Sequence, residues 1–182
     1  MASSDTVLSS RKLIRIGDIE DNRPNSEAVN AILAGVSNFI SSYQTDYINF
    51  FLNGSYRVAT GIIGYDGAYT CFHKSEIVGV QIWNAIAGTS GVTEFDVRWL
   101  NTSGADMGSI FSVTPKITSA APSPARGFRN LESGNDFTLA GLTLPTLSKT
   151  TFEEGETLYL VLNSAMVSAQ NAALTINIRP IT

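Results

Sequence analysis

Residues 77–84 read Ile-Val-Gly-Val-Gln-Ile-Trp-Asn, in which apolar and polar side chains alternate. A period of two predicts a half-buried β-strand, because successive side chains of a strand point to opposite faces. One face of this strand holds Val78, Val80 and Ile82. The other face holds Gln81 and Trp83, so the strand is expected to cover a core on one side only.

The same alternation recurs along the rest of the chain. Residues 93–101 place Phe95, Val97 and Trp99 on one face, and short turn clusters at 87–91 and 101–104 flank this strand. Further strands are predicted at residues 109–113, 137–139, 157–162 and 173–178. Several short strands separated by turns predict a mainly β protein, an antiparallel sandwich of the jelly-roll type.

A different period precedes the strands. Between Pro24 and Gly54, apolar residues recur at alternating steps of four and three, which is the spacing of a coiled-coil seam. The seam residues are Val29, Leu33, Val36, Ile40, Tyr43, Tyr47 and Phe50. Two interpretations stay open: a helix that joins subunits, or a single helix packed on its own domain. Few charges on the other helix faces favour association, and β-branched residues mixed with wide aromatics favour a trimer.

These patterns divide the chain into three parts. Residues 1–24 form a polar N-terminal segment, residues 25–54 a helical stalk, and residues 55–182 a β-sandwich head. A tip on a stalk points away from its attachment. The rest of a fibre is therefore expected on the N-terminal side.

Composition excludes several classes of partner. The net charge is -4, and the 12 Lys and Arg form no run, so neither nucleic acid nor an anionic membrane is an expected partner. No apolar stretch is long enough for a membrane-spanning helix, and the N-terminus shows no Sec-type signal peptide. Charged residues are only 15% of the chain, which is typical of a surface covered by partner subunits.

No catalytic or metal site is predicted. Cys71 and His73 could share a strand face as a dyad, but no third group or nucleophile elbow supports them, so a packed Cys and a half-exposed His is favoured. The acidic clusters at 18–21 and 153–156 match no calcium-loop spacing, and solvated turns account for them better. We expect no cofactor and no metal.

Binding residues are predicted at two places. Trp83 lies on the polar strand face, where it could stack on a sugar ring or be buried between subunits. Residues 120–134 form the longest irregular stretch, and Arg126, Phe128 and Arg129 give it donors and an aromatic surface. The alternative is that Phe128 anchors this loop while the arginines pair with Glu132 or Asp136.

Three segments carry a resemblance to known proteins. They are Glu-Ile-Val-Gly-Val-Gln-Ile-Trp-Asn at 76–84, Gly-Thr-Ser-Gly-Val-Thr-Glu-Phe-Asp-Val-Arg at 88–98, and Ser-Ile-Phe-Ser-Val-Thr-Pro-Lys-Ile at 109–117, with an acidic-glycine turn at 154–158. This pattern resembles the head domains of bacteriophage tail fibres and of fibre-like mosaic adhesive trimers. The resemblance implies a compact homotrimer of TNF-like or C1q-like β-sandwiches that binds surface glycans or proteins, and it transfers no catalytic or binding residue.

Three classes of function follow as expectations. The leading one is a non-catalytic adhesin or receptor-binding tip, located outside a cell, on a cell surface or on a virion, that gains avidity by holding three weak sites on one head. The second is a purely structural subunit, such as a capsid, decoration or baseplate protein. An enzyme acting on a surface polymer has least support, because the sequence offers no paired carboxylates and no activated nucleophile.

Overall fold

The computed structural model describes residues 6–9, 12–15, 30, 33, 45–56 and 68–181. The chain divides into two compact units, Met1–Gln44 and Thr45–Thr182. In the first unit, β1 (Thr6–Ser9) pairs antiparallel with β2 (Lys12–Arg15).

The second unit is built from fourteen strands in the described residues. They are β3 (Asp46–Ser55), β4 (Ala68–Thr70), β5 (Ser75–Ile86), β6 (Val92–Leu100), β7 (Asp106–Ser109), β8 (Phe111–Val113), β9 (Lys116–Thr118), β10 (Ala125–Asn130), β11 (Phe137–Thr138), β12 (Leu142–Thr143), β13 (Thr146–Leu147), β14 (Thr151–Phe152), β15 (Thr157–Ser164) and β16 (Gln170–Pro180). The mainly β class and the antiparallel pairing predicted from the sequence are confirmed.

Two antiparallel sheets enclose one core. The first sheet has the order β11-β10-β5-β16-β3, with β14 also on β5, and the second has the order β12-β9-β6-β15-β4, with β7 on β6. Buried residues of both sheets form a single cluster, including Phe50, Ile82 and Leu174 from the first sheet and Phe95 and Leu160 from the second. The unit is therefore a β-sandwich.

The predicted core positions of three strands are confirmed. In β15, Leu158, Leu160 and Leu162 are all buried, as the period of two predicts. In β16 the same holds for Leu174, Ile176 and Ile178, and in β6 Phe95 and Val97 are fully buried. Alternation along a strand is a local property, so the sequence alone identifies these faces.

A β-bulge in β5 changes one predicted face. Asn177 pairs with Gly79, and the next residue, Ile178, pairs with Ile77, so Val78 is the extra residue. Ile77 consequently joins Val80 and Ile82 in the core cluster, while Val78 does not belong to it. The prediction that Val78 shares the core face is wrong because a bulge shifts the alternation by one residue.

The predicted helix is wrong in its last part. Residues 46–55 form β3, with Ile48, Phe50 and Leu52 buried and the residues between them exposed. This period of two overrides the heptad spacing, and Tyr, Phe and Ile favour strands. The head therefore begins about ten residues before the predicted boundary at residue 55.

Phe50 packs in the core of its own subunit, so its predicted place in a helical seam is wrong, and Tyr47 lies on the opposite, exposed face of β3. Asn30 and Leu33 have helical backbone. The other predicted seam residues, Val29, Val36, Ile40 and Tyr43, lie outside the described residues.

The sandwich has two distinct ends. At the proximal end, β3 begins at Asp46 and β16 finishes at Pro180. At the distal end, β3 and β5 finish and β16 begins, because Gln170 pairs with both Ser55 and Ile86. The chain thus enters the head at the proximal end, and the connections after β5, β9 and β15 lie at the distal end.

Candidate functional site

The outer face of the first sheet is rich in exposed aromatic side chains. Tyr47 and Phe51 on β3 are 62% and 64% exposed, and Phe137 on β11 is 44% exposed. Trp83 on β5 and Phe128 on β10 lie between these edge strands and are half-buried. We call these five residues the aromatic face. Exposed aromatic side chains thus occur on both edge strands of this sheet, β3 and β11.

Strand pairing brings together residues that were predicted at separate places. Arg126 on β10 is the cross-strand partner of Trp83 on β5, and Phe128 is the partner of Gln81. On the other side of β5, Trp83 faces Ala173, which in turn faces Phe51. The small Ala173 side chain between the two large rings leaves both of them accessible from outside.

A shallow depression of about 470 Å³ lies on this face. Its lining includes Tyr47, Gln81, Phe128, Phe137 and Asn177. The side-chain oxygen of Asn177 is out of contact with solvent and accepts no hydrogen bond within the described part of the chain. Such a buried acceptor is costly to leave without a partner.

Gly79 leaves room for the aromatic ring of Phe128. A Cβ at this position would lie 2.8 Å from Cε2 of Phe128, so the aromatic ring occupies the space that a side chain would fill. The alternative prediction that Phe128 anchors its own segment is therefore supported. The same ring lines the depression.

Arg126 is the one cation in the lining of the depression. Its guanidinium carbon lies 5.3 Å above the centre of the Phe137 ring, a cation–π geometry. Among the described residues it forms no ion pair, whereas six other Lys and Arg side chains do, namely Lys74, Arg98, Lys116, Arg129, Lys149 and Arg179.

Arg129 does not belong to this surface. It follows Phe128 on β10 and so points to the other side of the strand, where its Nη1 lies 2.7 Å from Oδ2 of Asp136. The other carboxylate oxygen of Asp136 accepts a hydrogen bond from the Asn130 backbone N–H at 2.8 Å. The alternative prediction that an arginine pairs with Asp136 is confirmed for Arg129.

The predicted binding loop at residues 120–134 is wrong as a loop. Its middle, Ala125–Asn130, is the strand β10, which pairs along β5. The segment therefore runs the length of the sandwich, with residues 120–124 at the distal end and residues 131–134 at the proximal end. Only the first part lies near the predicted turn at 88–91, where Ser119 N–H donates to the Gly91 carbonyl at 3.2 Å.

The outer face of the second sheet has the opposite character. Lys116 lies 3.1 Å from Glu94, and Arg98 lies 2.8 Å from Asp106. The Thr114 hydroxyl donates to Glu94 at 2.6 Å, and this bond together with the Lys116 ammonium lowers the pKa of Glu94. Because its outer side chains are charged and paired, this face is well solvated by water. The fold thus places charged side chains on the outer face of one sheet and aromatic side chains on the outer face of the other.

Two residues of the aromatic face were missed in the sequence. Phe51 and Phe137 carry much of the exposed ring area, but Phe51 follows directly on Phe50 within a segment predicted as a helix, and Phe137 lies in a strand of two residues. The alternation of Tyr47, Asn49 and Phe51 against the buried residues between them is the signal that identifies this face of β3.

Cys71 and His73 do not form the activated pair that a dyad would need. Cys71 is buried just before a bend formed by Phe72 and His73, whose side chains are exposed. Burial, and to a smaller degree the charge of Glu156, raises the pKa of the Cys71 thiol to about 11. A thiol that stays protonated at neutral pH is a poor nucleophile.

The acidic turn at 153–156 is held by internal pairs. Glu153 lies 2.9 Å from Lys74, and Glu156 lies 3.1 Å from Lys149 and accepts from the Glu153 backbone N–H. In the described part of the chain, no three His, Cys, Asp or Glu side chains are grouped so as to hold a metal ion. The acidic cluster at 18–21 lies outside the described residues.

No helix among the described residues is long and apolar enough to span a membrane.

Comparisons with known proteins give only distant likenesses. No family model matches the chain, and no curated protein matches it. Among solved structures, similar chains include a CocE/NonD family hydrolase from Staphylococcus aureus, with 10% identity over 75% of this chain and 36% of that one and a TM-score of 0.31.

Two further likenesses are to viral assemblies. A chain of the phage P2 baseplate shows 10% identity over 75% of this chain and 53% of that one, with a TM-score of 0.26. A chain of T=1 particles derived from infectious bursal virus shows 9% identity over 76% and 41%, with a TM-score of 0.21. This protein spans between about a third and a half of the length of these chains. At TM-scores of this size the likenesses carry no functional argument.

Proposed function

We propose that the chain is a non-catalytic, homotrimeric head that binds a cell-surface glycan or protein through several equivalent sites, as the tip of a fibre does. The observation that carries this proposal is the aromatic face. Three weak sites held on one rigid head bind a repetitive surface with an avidity that a single site lacks.

The aromatic face supports assembly through the first sheet. Monomeric proteins rarely expose several large aromatic side chains on one sheet face, and interface cores are enriched in Tyr, Trp, Phe and Arg and depleted in other charges. Tyr47, Phe51 and Phe137 supply exposed rings, and Arg126 is the one Lys or Arg of residues 45–56 and 68–181 that forms no ion pair there. Burial against neighbouring copies accounts for all four.

The order of the strands supports a jelly-roll head. Along the chain, the strands β3, β5, β10 and β16 lie in the first sheet, while β4, β6, β9 and β15 lie in the second. The chain thus crosses repeatedly between sheets, as in double-sheet jelly rolls. Because the head begins at the proximal end, a fibre joined on its N-terminal side would leave the distal loops facing a target.

One observation favours the second candidate, a purely structural virion or fibre subunit. Arg129 and Phe128, two of the residues expected to bind a ligand, are engaged within their own subunit, by Asp136 and by the backbone at Gly79. In that case the aromatic face serves assembly alone. Hits on a glycan array of the intact oligomer would establish the first candidate against the second, since a structural subunit gives none.

A matched pair of substitutions in the full chain tests the proposal. Phe51→Lys places a charge on the aromatic face, and Phe72→Lys places the same charge on a phenylalanine that is 71% exposed elsewhere. We expect Phe51→Lys to convert trimer to monomer in light scattering and to abolish adhesion to the native surface, whereas Phe72→Lys retains both. Equal masses for the two variants contradict assembly through this face.

A further inference from the structure

Three loops join into one surface at the distal end of the head. They comprise residues 87–91, 119–124 and 165–169. Thr89 N–H donates to the Val167 carbonyl at 2.9 Å, and Val167 N–H donates to the Ser90 carbonyl at 3.0 Å. We call these three loops the distal surface.

The distal surface is tightly packed. A Cβ at Gly88 would lie 2.5 Å from both Cβ of Met166 and the Val167 carbonyl oxygen, so only glycine allows this approach. The Ala87 backbone N–H donates to the Ser123 hydroxyl at 2.9 Å, which ties the first loop to the second. Such mutual bracing fixes the loops before a ligand arrives, which lowers the entropic cost of binding.

Charge is absent from the distal surface. Its residues read Ala-Gly-Thr-Ser-Gly, Ser-Ala-Ala-Pro-Ser-Pro and Ala-Met-Val-Ser-Ala, with no Asp, Glu, Lys or Arg. Hydroxyl groups of Thr89, Ser90 and Ser168 are exposed beside Val167, which is 59% exposed. The charged side chains Lys74, Glu132, Asp136, Glu153 and Glu154 belong to loops at the opposite, proximal end.

Backbone strain is concentrated here as well. In the described part of the chain, the two non-glycine residues with positive φ are Ser168, at 61°, and Asn171, at 53°. Both follow Val167 closely, and the Asn171 side-chain oxygen accepts a hydrogen bond from the Gly54 N–H at 2.7 Å. Strained residues persist where the surrounding structure holds them in place, and they cluster at ligand-binding sites.

From these observations we infer that the distal surface binds an uncharged glycan. This inference rests on the proposed function and names the ligand class for it. The hydroxyls of Ser90 and Ser168 exchange hydrogen bonds with sugar hydroxyls, while the aliphatic Val167 packs against the C–H face of a sugar ring. An acidic polysaccharide would lose hydration of its carboxylates against these three loops, which carry no Lys or Arg, and this is unfavourable.

The test uses the intact full-length oligomer on immobilised polysaccharides. The neutral probes are dextran, mannan and galactan, and the acidic probes are alginate, hyaluronan and heparin. We expect binding to at least one neutral probe, unchanged between about 50 and 500 mM NaCl because no ion pair forms. Binding only to acidic probes, or binding that salt abolishes, overturns the inference.

Two valine substitutions localise the site. Val167→Asp introduces a charge into the distal surface, and Val113→Asp introduces the same charge at a valine that is 43% exposed outside it. We expect Val167→Asp to weaken neutral-glycan binding by about tenfold or more, because the carboxylate must be desolvated, and Val113→Asp to leave it unchanged. Equal effects of the two variants overturn the site.

Different results reject the uncharged ligand and the multivalent head. Both variants must keep the oligomeric mass and melting temperature of the parent protein for the binding data to count against the distal surface. An oligomer that binds its native surface but no neutral probe rejects the uncharged ligand and leaves the multivalent head intact. A monomeric parent protein rejects the head itself, whatever it binds.

Discussion

The ring of Phe128 lies across Gly79 on the outer face of the first sheet. A methyl group at Gly79 would lie 2.8 Å from Cε2 of Phe128, 2.9 Å from its Cζ and 3.1 Å from the Arg129 carbonyl oxygen. These distances are too short for carbon atoms in contact, so the ring can stay in place only if residue 79 is glycine.

Gly79→Ala is therefore expected to destabilise the head by about 1–3 kcal/mol, the usual cost of overpacking. This exceeds the roughly 0.5–1 kcal/mol that alanine gains over glycine inside a strand. Denaturant unfolding of Gly79→Ala, of Phe128→Ala and of the double variant gives the coupling between the two positions. If Gly79→Ala lowers the unfolding free energy as much in the Phe128→Ala background as in the parent protein, the contact with Phe128 is not the cause.

Phe50→Ala tests the strand that replaced the predicted helix. Phe50 is 2% exposed in the core, so truncation should cost about 3–5 kcal/mol of unfolding free energy. Phe72→Ala, at a phenylalanine that is 71% exposed, should change it by less than about 0.5 kcal/mol. A Phe50→Ala protein of normal stability but reduced oligomeric mass would indicate that Phe50 lies in a helical seam between subunits. It would contradict the assignment of Phe50 to the buried face of β3.

The local alternation of side chains explains why much of the sandwich was predictable. The buried and exposed faces of β6, β15 and β16 follow from a period of two. The buried positions Leu158, Leu160 and Leu162 could be predicted without knowing which strands pair with β15. The bulge at Val78 could not be predicted in this way, because it depends on pairing with Asn177 and Ile178, about a hundred residues away.

The two longest strands that the sequence did not predict, β3 and β10, were missed for different physical reasons. In β10, the core-facing positions are Ala125 and Gly127, and a Cβ at Gly127 would lie 2.9 Å from Cδ2 of Leu144, so small residues there are a packing requirement that looks like a loop in the sequence. In β3, the apolar spacing that began at Val29 continued through Tyr47 and Phe50, which concealed the change of period after residue 44.

Three residues of the candidate site were predicted from the sequence, but their proximity was not. Trp83, Arg126 and Phe128 were each proposed as binding residues, Trp83 from a strand and the other two from a loop. The antiparallel register of β5 and β10 brings them onto one face. That register depends on long-range pairing, so no local pattern indicates that the three residues are neighbours.

Acid should weaken the pairing of Glu94. The Thr114 hydroxyl and the Lys116 ammonium lower the pKa of Glu94 from its ordinary value of 4.5, so this carboxylate stabilises the folded state fully above that pH and loses its contribution as the pH falls through the lowered pKa. Glu94→Gln should therefore reduce stability at pH 7, by no more than about 1 kcal/mol for a surface pair.

The effect of Glu94→Gln should be smaller at pH 3 than at pH 7, because the parent carboxyl takes up protons as the pH falls through its lowered pKa. Urea unfolding at both pH values measures the change. Glu154→Gln is the matched control, since Glu154 is exposed and forms no ion pair among the described residues. A Glu94→Gln effect that is equal at the two pH values would show that ionisation of this carboxyl is not involved.

Cys71 should resist labelling in the native protein. It is 2% exposed, and burial raises its pKa to about 11, so at pH 8 the thiolate that reacts with a disulfide reagent is scarce and shielded. We expect 5,5′-dithiobis(2-nitrobenzoic acid) to label the thiol slowly in buffer and rapidly in urea. Rapid, complete labelling of the folded protein would show that the segment around Cys71 opens readily.

The mass of the intact chain in solution tests the central claim most directly. The aromatic face, with Tyr47 and Phe51 more than 60% exposed in one subunit, is expected to be covered by neighbouring copies. Sedimentation equilibrium or light scattering across a range of concentrations should give three times the 19.5 kDa of a single chain. A monomer that stays soluble over the same range contradicts a homotrimeric head.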